Sequence, residues 1–112
     1  MNRSITSIAN TPFKIYDLEG PAQAETIAWL PISYRRDAGV GSYFMRMRPG
    51  AETQLHDHPG FEEFLVLEGE LIDSDGAVFR AGDFVSFAPG TRHSSRTETG
   101  CLLAVFEWRD HG

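Results

Sequence analysis

Hydrophobic and polar residues alternate along this chain in short runs closed by turn residues, and no stripe of helical period reaches convincing length. The runs fall at residues 13–18, 26–34, 42–48, 54–58, 62–68, 70–73, 77–80, 83–87 and 101–108. Pro49-Gly50, Pro59-Gly60, the sequence Asp73-Ser74-Asp75-Gly76, Ala81-Gly82 and Pro89-Gly90 punctuate them. The nearest helical candidate, residues 21–30, is long enough for one turn ahead of a strand. Regular turn signals without strand–helix alternation predict an all-β sandwich or barrel.

The strand faces add detail. Within 62–68 one face carries Glu62, Phe64 and Val66 and the other Leu65 and Leu67, so both sides are apolar. Residues 102–106 are two-sided in the same way. A small barrel fills its interior with one face, so the outer one needs a cover. Either the first 40 residues lie across it or a second copy does, and we expect a homodimer. In 43–47, Tyr43, Met45 and Met47 are predicted to point inward. That parity leaves Arg46 and Arg48 on the solvated outside, the alternative being a place at the barrel mouth where either could hold an anionic substrate.

A chain of 112 residues fits one domain spanning 1–112, with strands or an arm in 1–40 and the barrel core in 41–108. The net charge of -6 argues against nucleic acid as a partner, because a phosphate backbone needs a basic face. No window reaches membrane-spanning length and residues 1–13 lack the apolar run of a signal peptide, so the expected location is cytoplasmic, with no membrane partner. The one cysteine, Cys101, is expected to be a small buried hydrophobe.

Candidate chemistry concentrates in GAETQLHDHPGFEEFLVLEG, from Gly50 to Gly69. His56 and His58 are two apart, so on an extended strand their imidazoles share a face. Pro59-Gly60 supplies a turn, and Glu62-Glu63 opens the next apolar run, predicted to return as a hairpin partner that sets a carboxylate opposite the histidines. Two imidazoles and a carboxylate suit a divalent transition metal. An acidic residue in an apolar strand would be costly to bury unless ligated. Alternation assigns Glu62 to the site and turns Glu63 away. A third histidine, His93, follows a second turn signal, and His111 is penultimate. Asp73, Asp75 and Gly76 imitate the start of a calcium loop, but the remaining ligands are absent and the segment is read as a turn.

These residues resemble the cupin superfamily. Gly50, His56, His58, Glu62 and Gly69 match its first motif, G-x5-H-x-H-x3-E-x6-G, without a gap. Gly82, Gly90 and His93 match its second, G-x5-P-x-G-x2-H-x3-N. There Ala88 stands in the proline position, with Pro89 one place later, and Thr97 stands in the asparagine position. The resemblance implies a double-stranded β-helix, or jelly-roll barrel, with His56, His58, Glu62 and His93 holding one divalent metal ion. HDHPGFEEFLVLEG and PGTRHSSRTETGC look like the ChrR-like cupins, a group that includes the zinc-binding domain of certain anti-sigma factors. Diketone-cleaving dioxygenases are a weaker likeness. Anti-sigma activity does not carry over, because those proteins use a further helical zinc domain and this sequence has no second His/Cys cluster for one.

Three imidazoles and one carboxylate leave one or two positions of a five- or six-coordinate ion open, and this ligand set alone does not choose among Zn, Fe, Mn and Ni. Two functions are therefore expected: a metal-dependent dioxygenase acting on a small carbonyl-containing compound, or a non-catalytic metal and small-molecule sensing module.

Overall fold

A computed structural model describes residues 2–18 and 26–110. Of the one-turn candidate at 21–30, residues 21–25 lie outside the described residues, as does His111, and 27–30 are extended strand. The described chain is all-β: β1 (Lys14–Ile15), β2 (Ile27–Pro31), β3 (Gly41–Met47), β4 (His56–Asp57), β5 (Phe61–Asp73), β6 (Val78–Arg80), β7 (Phe84–Phe87), β8 (Arg92–His93), β9 (Ser95–Arg96) and β10 (Cys101–Trp108). Strands β1-β2-β3-β10-β5-β6 pair in that order, β7 and β9 also pair with β5, and β4 and β8 form a separate two-stranded ribbon. This is a jelly roll, as the family resemblance implied and within the all-β class that the turn spacing predicted. No helix of the described residues is long and apolar enough to cross a membrane.

Strand β5 organises the barrel. It is one strand of 13 residues where the hydropathy pattern suggested two. Its first half pairs with β7 and β10, and its second half with β6 and β9. A β-bulge divides the halves: Leu102 of β10 faces Glu68, Leu103 faces Val66, and Leu67 is left over. The extra residue reverses the parity, so Glu62, Phe64 and Val66 are buried before it and Leu71 and Asp73 after it. Gly69 makes the bend possible. Its φ is 75°, and a Cβ there would stand 1.9 Å from the Gly100 carbonyl oxygen.

The interior is filled as the strand parity required. Tyr43, Met45 and Met47 from β3 meet Phe64 and Val66 from β5 and Leu103 and Val105 from β10, all buried. Each such side chain contributes about 1.5–3 kcal/mol by leaving water. Arg46 points outward, its guanidinium 5.3 Å from the Phe13 ring and 3.9 Å from the Glu68 carboxylate. Arg48 is exposed as well. Neither lines the barrel mouth. Outside, cross-strand register aligns Leu30, Phe44, Ala104, Leu65 and Phe84 in one row. Exposure along that row climbs from 6% at Leu30 to 58% at Phe84. The outer face is therefore covered at its Leu30 end and open at its Phe84 end.

Candidate metal centre

The predicted hairpin between residues 54–58 and 62–68 does not form. Strand β4 pairs with β8 instead, which puts His56 directly opposite His93. The physical reason is chain reversal by Pro59-Gly60 into a different sheet, with β5 occupied by β7 and β10 on its two edges. His58 follows β4, and its backbone is pinned to the second turn: its amide donates to the Thr91 carbonyl at 3.2 Å, and its carbonyl accepts from Gly90 at 2.8 Å. Gly60 is required because a Cβ there would lie 2.5 Å from the Trp108 carbonyl oxygen.

Glu62 enters from β5, between Phe87 on β7 and Glu107 on β10. One ligating atom each from His56, His58, Glu62 and His93 lies within 4.8 Å of all the others, a group that could hold a metal ion. His58, Glu62 and His93 are buried, and His56 is half-buried toward the mouth. Glu63 turns away as alternation required, accepting from the Ser86 hydroxyl at 2.7 Å and the Trp108 indole at 2.8 Å.

Each imidazole has a support on its second nitrogen. His56 Nδ1 is 2.5 Å from the Gln54 carbonyl oxygen. His93 Nδ1 is 3.1 Å from Asp73, and Phe87 stacks on its ring at 4.1 Å between centroids. His58 Nδ1 is 3.5 Å from Glu107, whose other oxygen accepts from the Tyr43 hydroxyl at 3.1 Å. Such contacts leave the Nε2 lone pairs of the three rings for a metal. Sequence reasoning missed Asp73, which it read only as part of a turn, and Glu107. For Glu107 the signal was present: it is in phase with the inward Leu103 and Val105.

Imidazoles and carboxylates in the pocket shift one another's titration. Burial disfavours a charged His58, but the carboxylates of Glu107 and Glu62 outweigh it and lift the imidazole to about 10. Burial likewise pushes Glu62 up, yet the imidazoles of His58 and His93, each with Nε2 3.0 Å from one of its oxygens, bring it down to about 2. Burial opposes charge on His93 too, and Glu62 with Asp73 raises its pKa nonetheless. Tyr43 is held protonated well above the phenol range, by burial first and then by Tyr16, Glu107 and Glu62.

The residues present fit a divalent metal. His58 Nε2 is buried and makes no directed hydrogen bond, although Glu62 Oε2 is only 3.0 Å away. A buried ring nitrogen left so is costly, and ligation would satisfy it. With neutral imidazoles, Glu62, Asp73 and Glu107 supply negative charge to balance a dication. Thr97, in the asparagine position of the second motif, is structural: its hydroxyl donates to the Glu70 carbonyl at 2.6 Å. Cys101 is 6% exposed, and burial pushes its thiol up to about 11, so it is inert.

Two cavities meet at the group. The inner one, about 30 Å³ in volume, lies among Met45, Met47, Phe64, Leu71 and Leu103. That is room for about one water molecule. The outer one, at the barrel mouth, is about 390 Å³ and is lined by Tyr16, Tyr34, Leu55, His56, His58 and Arg109 among others.

The profile of the ChrR cupin-like domain matches residues 13–109. The chain belongs to this family. Solved structures show the same cupin fold. An RmlC-like cupin of Shewanella frigidimarina is 22% identical with a TM-score of 0.69, covering 95% of this chain and 91% of its own. A candidate acetylacetone dioxygenase of Methylibium petroleiphilum has a TM-score of 0.77 at 14% identity, covering 94% and 76%. A cupin-like protein of unknown function from Ralstonia eutropha reaches 0.81 at 18% identity, covering 96% and 73%. Identities this low bear on fold alone. No curated protein matches the chain.

Proposed function

We propose that this ChrR-family cupin binds one divalent metal through His56, His58, Glu62 and His93 and acts as a dioxygenase on a small carbonyl-containing compound. The observation that carries the reading is the convergence of three imidazoles and one carboxylate, of which His56, His58 and Glu62 line an open cavity of about 390 Å³. Four protein donors leave a five- or six-coordinate ion room for exogenous ligands. A bound metal would polarise a chelated carbonyl and, as Fe(II), engage oxygen. The chain's own part is to orient the ligands through Asp73, Glu107 and the Gln54 carbonyl, and to keep bulk solvent out of the packed barrel. Likeness to a candidate acetylacetone dioxygenase supports a diketone as the first compound to try.

A sensing module is the second reading, favoured by one observation. Glu107, the carboxylate beside the ligands at the mouth, is already committed to His58 and Tyr43, so it is not free to act as a base. The test is metal analysis of protein purified without added metal, followed by oxygen uptake after anaerobic Fe(II) loading with a panel of diketones. Uptake stoichiometric with substrate loss is expected. Metal binding without uptake on any compound would refute dioxygenase activity toward that panel and favour sensing.

We further propose that two copies pair through the uncovered end of the outer face, and that the protein works in the cytoplasm. Phe84 and Phe106 are 58% and 39% exposed there, their rings stacked 6.3 Å apart across Leu65's strand. Apolar surface of this kind supports a homodimer.

A further inference from the structure

The substrate class can be narrowed from the mouth cavity, on the reading that a metal sits at its floor. The inner cavity has room for one water-sized molecule, so an organic ligand must approach through the mouth. Its walls there are aromatic and apolar, from Tyr16, Leu18, Tyr34 and Leu55. The charged lining residues are mostly spoken for. Asp57 faces Arg92 at 3.7 Å, and Glu107 faces His58 and Tyr43. Arg109 is different: among the described residues it forms no ion pair and no hydrogen bond.

Its position is nonetheless built. The aliphatic stem crosses Gly60, where an added Cβ would come within 2.6 Å of Arg109 Cγ. The guanidinium then reaches Gly39, where an added Cβ would be 3.4 Å from Nη2. Gly60 thus leaves room for the stem of this exposed side chain, on the rim of the metal pocket and one residue beyond the end of β10, and Gly39 lies in ordinary contact with its tip. The sequence placed Arg46 and Arg48 on the solvated outside, with the mouth as the alternative, and outside is where they lie; among the described residues, the arginine lining the mouth is Arg109. A guanidinium is always charged and matches a carboxylate with two parallel hydrogen bonds.

We propose that Arg109 is a specificity residue that selects an anionic substrate: a small keto acid whose carbonyl oxygens face the metal and whose separate carboxylate reaches the guanidinium. The apolar walls hold the carbon skeleton between these two ends.

The experiment compares two ligands with the same chelating unit and different charge. Pentane-2,4-dione is neutral until it chelates, and 2,4-dioxopentanoate carries an added carboxylate. Both are titrated calorimetrically into Zn(II)-loaded protein, which avoids turnover, after Zn content has been measured in every variant. Wild-type protein should bind the dioxopentanoate more tightly. Arg109→Gln should weaken that binding about tenfold, the worth of one charge-assisted contact, while changing dione binding less than about twofold. Arg109→Lys should recover part of the loss. With no variant at all, high salt should weaken only the anion. Equal losses for both ligands, no loss for either, or wild-type protein that binds neither would overturn the proposal. Zn content and oxygen uptake report on the metal and on the dioxygenase reading separately, so a failure of either is told apart from a failure here.

Discussion

Replacing Asp73 tests whether the metal centre depends on a carboxylate that never faces the metal. Asp73 and His93 are buried, with side chains 8% and 7% exposed and Nδ1 3.1 Å from Oδ1. The contact fixes the ring so that Nε2, 3.0 Å from Glu62, keeps its lone pair for ligation. Removing such an outer support typically weakens metal binding by about 10–100-fold, or about 1.4–2.7 kcal/mol. Two substitutions divide that cost. Asp73→Asn retains an oxygen that accepts from Nδ1 but loses the charge, so binding should fall by about fivefold to tenfold. Asp73→Ala removes the acceptor and should approach the upper figure. Backbone bonds of the turn stay in place, because Asp73 N donates to the Ala77 carbonyl and Gly76 N to the Asp73 carbonyl whatever the side chain. The assay is competitive Zn(II) titration against a chromophoric chelator, with histidine tautomers read by NMR. Affinities within twofold of wild type for both variants, alongside abolished binding in His93→Ala, would refute the reasoning.

Three further outcomes are expected. Glu62→Ala should lower metal occupancy far more than Glu63→Ala, measured by elemental analysis; equal losses would mean the inward assignment of Glu62 is wrong. Gly69→Ala should cost about 3 kcal/mol or more in urea unfolding, from left-handed strain and collision with Gly100, whereas Gly76→Ala, at φ 90° with no atom within 4 Å of its Cβ, should cost about 1–2 kcal/mol from strain alone. Phe84→Ser with Phe106→Ser should shift sedimentation from dimer toward monomer, and a wild-type monomer at micromolar concentration would remove the dimer proposal.

Much of the barrel was legible because burial on one face leaves a period-two record, as in Tyr43, Met45 and Met47. The grouping of His56, His58, Glu62 and His93 was legible from spacing and family motif. Strand pairing was not. A proline-glycine turn says that the chain reverses, and is silent on which edge the next strand takes, so β4 was paired with β5 when its partner is β8. Asp73 was hidden for a different reason. Counting from Glu62, an odd-numbered residue belongs on the outer face, and only the bulge at Leu67 returns it to the interior. Arg109 carried no signal, since its place depends on Gly60, distant from it in sequence.

The bulge has a consequence for chain length. His93 lies between Glu62 on one nitrogen and Asp73 on the other, and both carboxylates belong to a single strand. That strand works as a caliper whose jaws are set by the number of residues between them. Loss or gain of one residue within 67–72 would reverse the far jaw, taking Asp73 and Leu71 out of the interior and shifting the register of β6 and β9 along with them. The segment can therefore exchange side chains freely at Glu68 or Glu70, and its length stays locked to the spacing of one imidazole ring.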